Sequence, residues 1–139
     1  MRLRFRLRIM VINETTTKER ALQLNPVVLA FVGDAVYSLY IRTKLTLSVD
    51  KKSGALSEMA AKAVCAEAQA DRADELFGIL TEEEQAVFMR ARNAKKPTHA
   101  KHSSIGQYNK STGFEAVLGY LYLSGQQARL DALLNYGEL

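Results

Sequence analysis

Residues Leu29 to Arg42 read LAFVGDAVYSLYIR, an almost unbroken apolar run with a glycine and an aspartate, Gly33 and Asp34, near its centre. Just before it stands Asn25-Pro26, an asparagine cap followed by a proline at the first helical position. Together they predict a helix from Pro26 to about Leu45. The stripe that shares a face with Asp34 holds Val27, Ala30, Phe31, Tyr37, Ser38 and Ile41. That stripe is mostly apolar, which places Asp34 on or beside the inward face. A carboxylate there is costly unless it is paired, hydrogen-bonded or bound to a metal. Gly33 has no side chain, so another backbone or a ligand can approach closely beside it.

The rest of the chain also reads as helix, and the expected architecture is a single all-α domain. Ser48 to Gly54 is a polar turn. Leu56 to Leu80 is alanine-rich with apolar residues at helical spacing, and fits one long helix or two. Thr81-Glu82-Glu83-Glu84 is a second clear start, with a capping threonine, a glutamate three residues on and acids at the positive end of the dipole. That helix should fade near Asn93. Ala94 to Lys110, with Pro97, Gly106, serines and two histidines, reads as a loop. Ser111-Thr112 then opens a helix to about Ser124, and after Gly125 a last helix runs to about Tyr136 with Gly137 as its stop.

The chain has 139 residues, enough for a core without disulfide or metal staples. Residues 21–139 are expected to form the folded domain. Residues 1–20 form a basic arm or extension, in which Arg2, Arg4, Arg6 and Arg8 alternate with apolar residues. The arm lacks the apolar core of a signal peptide. It fits an edge strand, a frayed end or an extension upstream of Met10 better than an arm on nucleic acid. No apolar run approaches the ~18–20 residues needed to span a bilayer. The single cysteine, Cys65, excludes an internal disulfide and a cysteine-rich zinc site, and among its alanines reads as a buried structural thiol. These features fit a reducing cytoplasm.

Charge is unevenly placed. The net charge is only +4, yet no acidic residue occurs from Gln85 to Phe114. That window holds Arg90, Arg92, Lys95, Lys96, Lys101 and Lys110, with His99 and His102. Such a surface attracts polyanions, although a solvated loop has the same composition.

A second apolar segment repeats the opening pattern. Phe114 to Ser124 reads FEAVLGYLYLS, and its one acid, Glu115, is flanked by Phe114, Val117, Leu118 and Leu121, with Gly119 one turn on. One such carboxylate is readily explained by a cap or an arginine partner. Two on separate apolar helices, beside a basic loop, point to convergence on a divalent cation. Hard cations such as Mg²⁺ take oxygen ligands, often one or two carboxylates completed by water and phosphate oxygens.

With both acids located, a family resemblance emerges. LAFVGDAVYSLYIR resembles the signature helix of the ribonuclease III catalytic domain, and STGFEAVLGYLYL resembles that domain's second acidic helix. RARNAKKPTHAKHSSIGQYNKSTGFEAVLGYLYL is most similar to Mini-ribonuclease III, the branch lacking a double-stranded-RNA-binding domain. The resemblance runs from about Leu22 to Gly137. It implies an all-α, Mg²⁺-dependent endonuclease that cuts double-stranded RNA as a homodimer, and for this branch the maturation of precursor large-subunit ribosomal RNA. Asp34 matches the signature aspartate and Glu115 the essential glutamate, so both are the expected catalytic residues and metal ligands. Two further acids of the fuller pattern are replaced by Ala30 and Thr112. More of a cation's ligands must then be water or RNA phosphate, and Thr112 could orient a water.

Duplex RNA is read by shape and backbone contacts across its minor groove. Arg90, Arg92, Asn93, Lys95 and Lys96 suit such contacts, Lys101, His102, Tyr108 and Lys110 could continue them, and Lys51 and Lys52 form a second basic pair. His99 and His102 lack a third strong ligand and make a poor metal pair. The tyrosines Tyr37, Tyr40, Tyr120 and Tyr122 are expected in the core or a dimer contact, the latter including Phe31. The other reading is a non-catalytic double-stranded-RNA-binding or assembly protein on the same scaffold, for which Ala30 and Thr112 speak. A helical DNA-binding domain lacks support, as no helix-turn-helix with a basic second helix is present.

Overall fold

A computed structural model describes residues 14–96 and 103–137. The basic arm over residues 1–13, and Pro97, His99, Lys101 and His102, lie outside the described residues. The helices are α1 (Lys18–Gln23), α2 (Pro26–Ser48), α3 (Ser53–Val64), α4 (Ala66–Leu76), α5 (Glu82–Asn93), α6 (Ile105–Leu123) and α7 (Gln127–Leu134), with a 3₁₀ turn at Phe77–Ile79. No strand occurs among the described residues. The first helix spans residue 20, where the expected arm meets the domain. No described helix is long and apolar enough to cross a membrane.

Local signals account for several boundaries. Asn25 Oδ1 accepts from the Val27 amide at 2.8 Å, with Pro26 opening α2. Thr81 and Glu84 form a complete capping box at the start of α5, each side chain accepting from the other's backbone amide. The segment after Leu56 is two helices, because Cys65 adopts an extended conformation (φ −67°, ψ 160°) between α3 and α4. The same bend turns Cys65 outward, so the thiol is exposed. It is not the buried thiol that its alanine neighbours predict.

The largest departure from expectation is α6, which starts at Ile105, well before Ser111. Ser104 and Gln107 form a second capping box, which Gly106 and the surrounding serines disguise as loop. Ser111 and Thr112 are therefore buried mid-helix residues, and the Oγ1 of Thr112 donates back to the Tyr108 carbonyl at 3.0 Å.

Helix α6 is the centre of the fold, packed by α2, α4 and α5. It is buried almost all round, from Ser111 through Leu121 apart from Glu115. Tyr37 of α2 meets Phe114 edge-to-face, with centroids 4.9 Å apart. Tyr37 and Tyr120 are core residues, and Tyr40 and Tyr122 pack against the core half-buried, as expected. A partly buried ion pair locks α7 onto α5: Arg129 donates to both oxygens of Glu84, at 2.8 and 2.9 Å. Arg72 of α4 donates to the carbonyls of Leu133, Leu134 and Tyr136, satisfying the otherwise unpaired C-terminal end of α7.

Candidate metal and nucleic-acid site

The two glycines of the apolar helices face each other where α2 crosses α6. A Cβ added to Gly33 would overlap the Glu115 carbonyl oxygen, and one added to Gly119 would overlap the Leu29 carbonyl oxygen. The helices thus touch backbone to backbone, which only glycine permits. Gly33 stands next to Asp34 in sequence, and its nearest neighbour across the crossing is Glu115. The contact brings the two acids together as a direct consequence.

The two carboxyl groups lie close enough for Asp34 to act on the titration of Glu115, by side-chain hydrogen bonding and by charge. Asp34 is exposed and Glu115 half-buried. The inward face of α2 is Leu29, Ala30, Gly33 and Tyr37, one step round from the stripe centred on Asp34. Because α2 is apolar on nearly every side, periodicity alone did not fix that rotation. Burial of Glu115, then its hydrogen bond to Asp34 and that neighbour's charge, push its pKa up to about 9, against a smaller opposing effect of Gln69. In the cation-free protein Glu115 holds its proton at neutral pH.

Gln69 of α4 was not anticipated. It is 2% exposed. Its Nε2 donates to the Val64 carbonyl at 3.1 Å and to Glu115 Oε2 at 3.3 Å. Its Oε1 is buried without a partner among the described residues. The available signal was its register, one and two turns before the buried Ala73 and Leu76.

Two adjoining carboxylates suit a hard divalent cation. No group of three or more His, Cys, Asp or Glu side chains that could hold a metal occurs among the described residues. A cation here would draw its remaining ligands from water and substrate. Ala30 is buried on α2, and Thr112, one turn before Glu115, has its hydroxyl proton directed to Tyr108.

The basic residues fall into two sets. Lys51, Lys52 and Lys95 are exposed. Others make intramolecular contacts: Arg90 donates to the Leu22 carbonyl at 3.1 Å, and Arg92 Nε to Asn93 Oδ1 at 3.2 Å. Lys96 folds back onto the carbonyls of Arg92 and Ala94, at 3.0 and 2.7 Å, and its burial lowers its pKa. Lys110 pairs with Asp74 at 2.7 Å. The half-buried Tyr108 lies one turn before Thr112 on α6.

Comparison with known proteins identifies the family and the fold. The ribonuclease III domain family model matches residues 27–126. Curated relatives named Mini-ribonuclease 3 include one from Thermoanaerobacter sp., 46% identical over 121 residues, covering 87% of this chain and 85% of the relative. Another, from Enterococcus faecalis, is 43% identical over 116 residues, covering 82% and 88%. A crystal structure of a Fusobacterium nucleatum protein superposes with a TM-score of 0.77 at 28% identity, covering 89% of this chain and 100% of that one.

Proposed function

The chain belongs to the ribonuclease III family, and from that premise we propose that it is an Mg²⁺-dependent endoribonuclease that hydrolyses double-stranded RNA. The observation that carries the reading is the Asp34–Glu115 carboxyl pair, held together by a glycine-to-glycine helix crossing. Asp34 and Glu115 would hold the cation, exposed on the Asp34 side where a phosphodiester can reach it. When bound, the cation supplies a hydroxide nucleophile at neutral pH and stabilises charge on the phosphate.

The exposed cations Lys51, Lys52 and Lys95 are the first candidates for phosphate contacts. Arg90, Arg92, Asn93, Lys101, Tyr108 and Lys110 complete the proposed RNA-binding set, and Lys96, expected in it from the sequence, is set apart because its ammonium is engaged by the end of α5. The protein acts as a homodimer in this reading. Val28, Phe31 and Leu39 lie along one side of α2 and are 48%, 79% and 55% exposed. An apolar stripe of this kind marks an interaction surface, and an isologous pair matches the two-fold character of a duplex. Precursor large-subunit ribosomal RNA in the cytoplasm is the natural setting in this reading, which rests on the family resemblance alone.

The test is cleavage of long duplex RNA with and without Mg²⁺, alongside Asp34→Asn and Glu115→Gln. Metal-dependent cutting by the wild type alone is expected. Duplex binding without metal-dependent cleavage would favour the non-catalytic scaffold reading, and full activity of either variant would overturn the site.

A further inference from the structure

A glutamine in the core is unusual, and Gln69 is surrounded by constraints. Its amide has two protons, and both have acceptors: the Val64 carbonyl at the end of α3 and the Oε2 of Glu115. Reversing the amide would set its oxygen against the Val64 carbonyl, which can only accept, so the orientation is determined by that partner. The oxygen that remains, Oε1, is buried and accepts from nothing among the described residues. An unpaired buried acceptor is destabilising. Leucine or methionine would fill the same space without that penalty. By the covalent geometry of an amide, Oε1 lies beside Nε2 and hence close to Glu115.

We infer that Gln69 is a positioning residue: its amide fixes the Glu115 carboxylate toward Asp34, and its Oε1 accepts from the hydration shell of the bound cation. This rests on the proposed function. The role resembles that of outer-shell groups at metal sites generally, which orient the ligands and tune the affinity. The α3–α4 break supplies one of the amide's acceptors. The break frees the Val64 carbonyl, which holds the other side of the amide.

The test uses Gln69→Met, which preserves length and approximate volume. Mg²⁺ binding to the RNA-free protein is measured by calorimetry, and the Mg²⁺ concentration for half-maximal duplex cleavage by kinetics. Both should weaken about tenfold, with cleavage recovering toward wild type at saturating Mg²⁺. A purely structural role would lower the melting temperature and leave both Mg²⁺ values unchanged, which would overturn the inference. A wild-type measurement guards against a variant that does not fold. The side-chain amide proton resonances of Gln69 should shift on Mg²⁺ addition, as their acceptor Glu115 takes on a cation, and unmoved resonances would overturn the inference. If the wild type takes up no Mg²⁺, the proposed function falls and this inference with it. If the wild type binds Mg²⁺ and Gln69→Met binds it equally well, this inference alone falls.

Discussion

Two glutamates are drawn toward the interior of this molecule, and the fold treats them in opposite ways. Glu84 is 3% exposed, accepts from both Arg129 and the Thr81 amide, and serves the capping box of α5. Burial raises its pKa, but the hydrogen bonds of Arg129 and Thr81 and the charge of Arg129 outweigh burial and hold it below the ordinary value. Burial, and then the facing carboxyl group of Asp34, push the pKa of Glu115 up to about 9. The first is what a structural carboxylate looks like when its charge is matched. The second is a carboxyl group that meets no cationic side chain among the described residues, at a place where the backbone has been thinned to two glycines to bring a second acid close.

That contrast can be broken at either end. The largest effect is expected at the carboxyl pair: Asp34→Asn or Glu115→Gln should lower Mg²⁺-dependent duplex cleavage about a thousandfold, a loss on the scale of removing a principal electrostatic stabiliser. Cation-free melting temperature should be unchanged or raised in Glu115→Gln. Next is the crossing itself. Gly33→Ala should destabilise by about 3 kcal/mol, since its Cβ meets a main-chain carbonyl that cannot rotate away. Gly54→Ala, with nothing within 4 Å of its Cβ, should stabilise by about 0.5 kcal/mol in chemical denaturation. At the structural pair, Arg129→Leu should cost about 2 kcal/mol, less than a fully buried pair because Arg129 keeps 31% of its side-chain surface exposed. Cleavage per folded molecule should stay near wild type.

The same two residues predict opposite pH dependence. Glu115 binds a proton more tightly folded than unfolded. Its contribution is complete below its unfolded value of 4.5 and is lost as pH rises toward about 9. Glu84 binds a proton less tightly folded. Its contribution is present above 4.5 and is lost as pH falls through its lowered pKa. Melting of the cation-free protein from pH 5 to 9 should therefore decline less steeply in Glu115→Gln than in wild type, and a parallel decline would count against the raised pKa.

The smallest effects concern the basic residues. Lys95→Ala should weaken duplex binding and reduce the slope of log affinity against log salt by about 0.7–0.9. Lys96→Ala should leave that slope nearly unchanged and lower stability by about 1 kcal/mol, because its ammonium is engaged by the end of α5. Equal salt slopes for the two variants would erase the distinction between exposed and tethered cations.

Much of this could be read in the residues. The starts of α2 and α5 are announced by Asn25-Pro26 and by Thr81 with Glu84, because capping chemistry is local. Asp34 and Glu115 stand out because an acid in an apolar helix needs a partner. The rotation of α2, the early start of α6 and the outward turn of Cys65 could not be read so simply. The first depends on what packs against a helix that is apolar all round, the second on a capping box hidden beside Gly106, and the third on a bend that no proline or glycine marks. Gln69 was hidden differently: its significance lies in acceptors supplied by Val64 and Glu115, which only the folded chain brings to it.

The central claim is that Asp34 and Glu115 form one cation site. Its most direct test is calorimetric titration of Mg²⁺ into the RNA-free protein at neutral pH, for wild type, Asp34→Asn and Glu115→Gln. The account predicts a binding event in the wild type that both substitutions abolish. Binding of wild-type strength in either variant, with the fold intact, would contradict it.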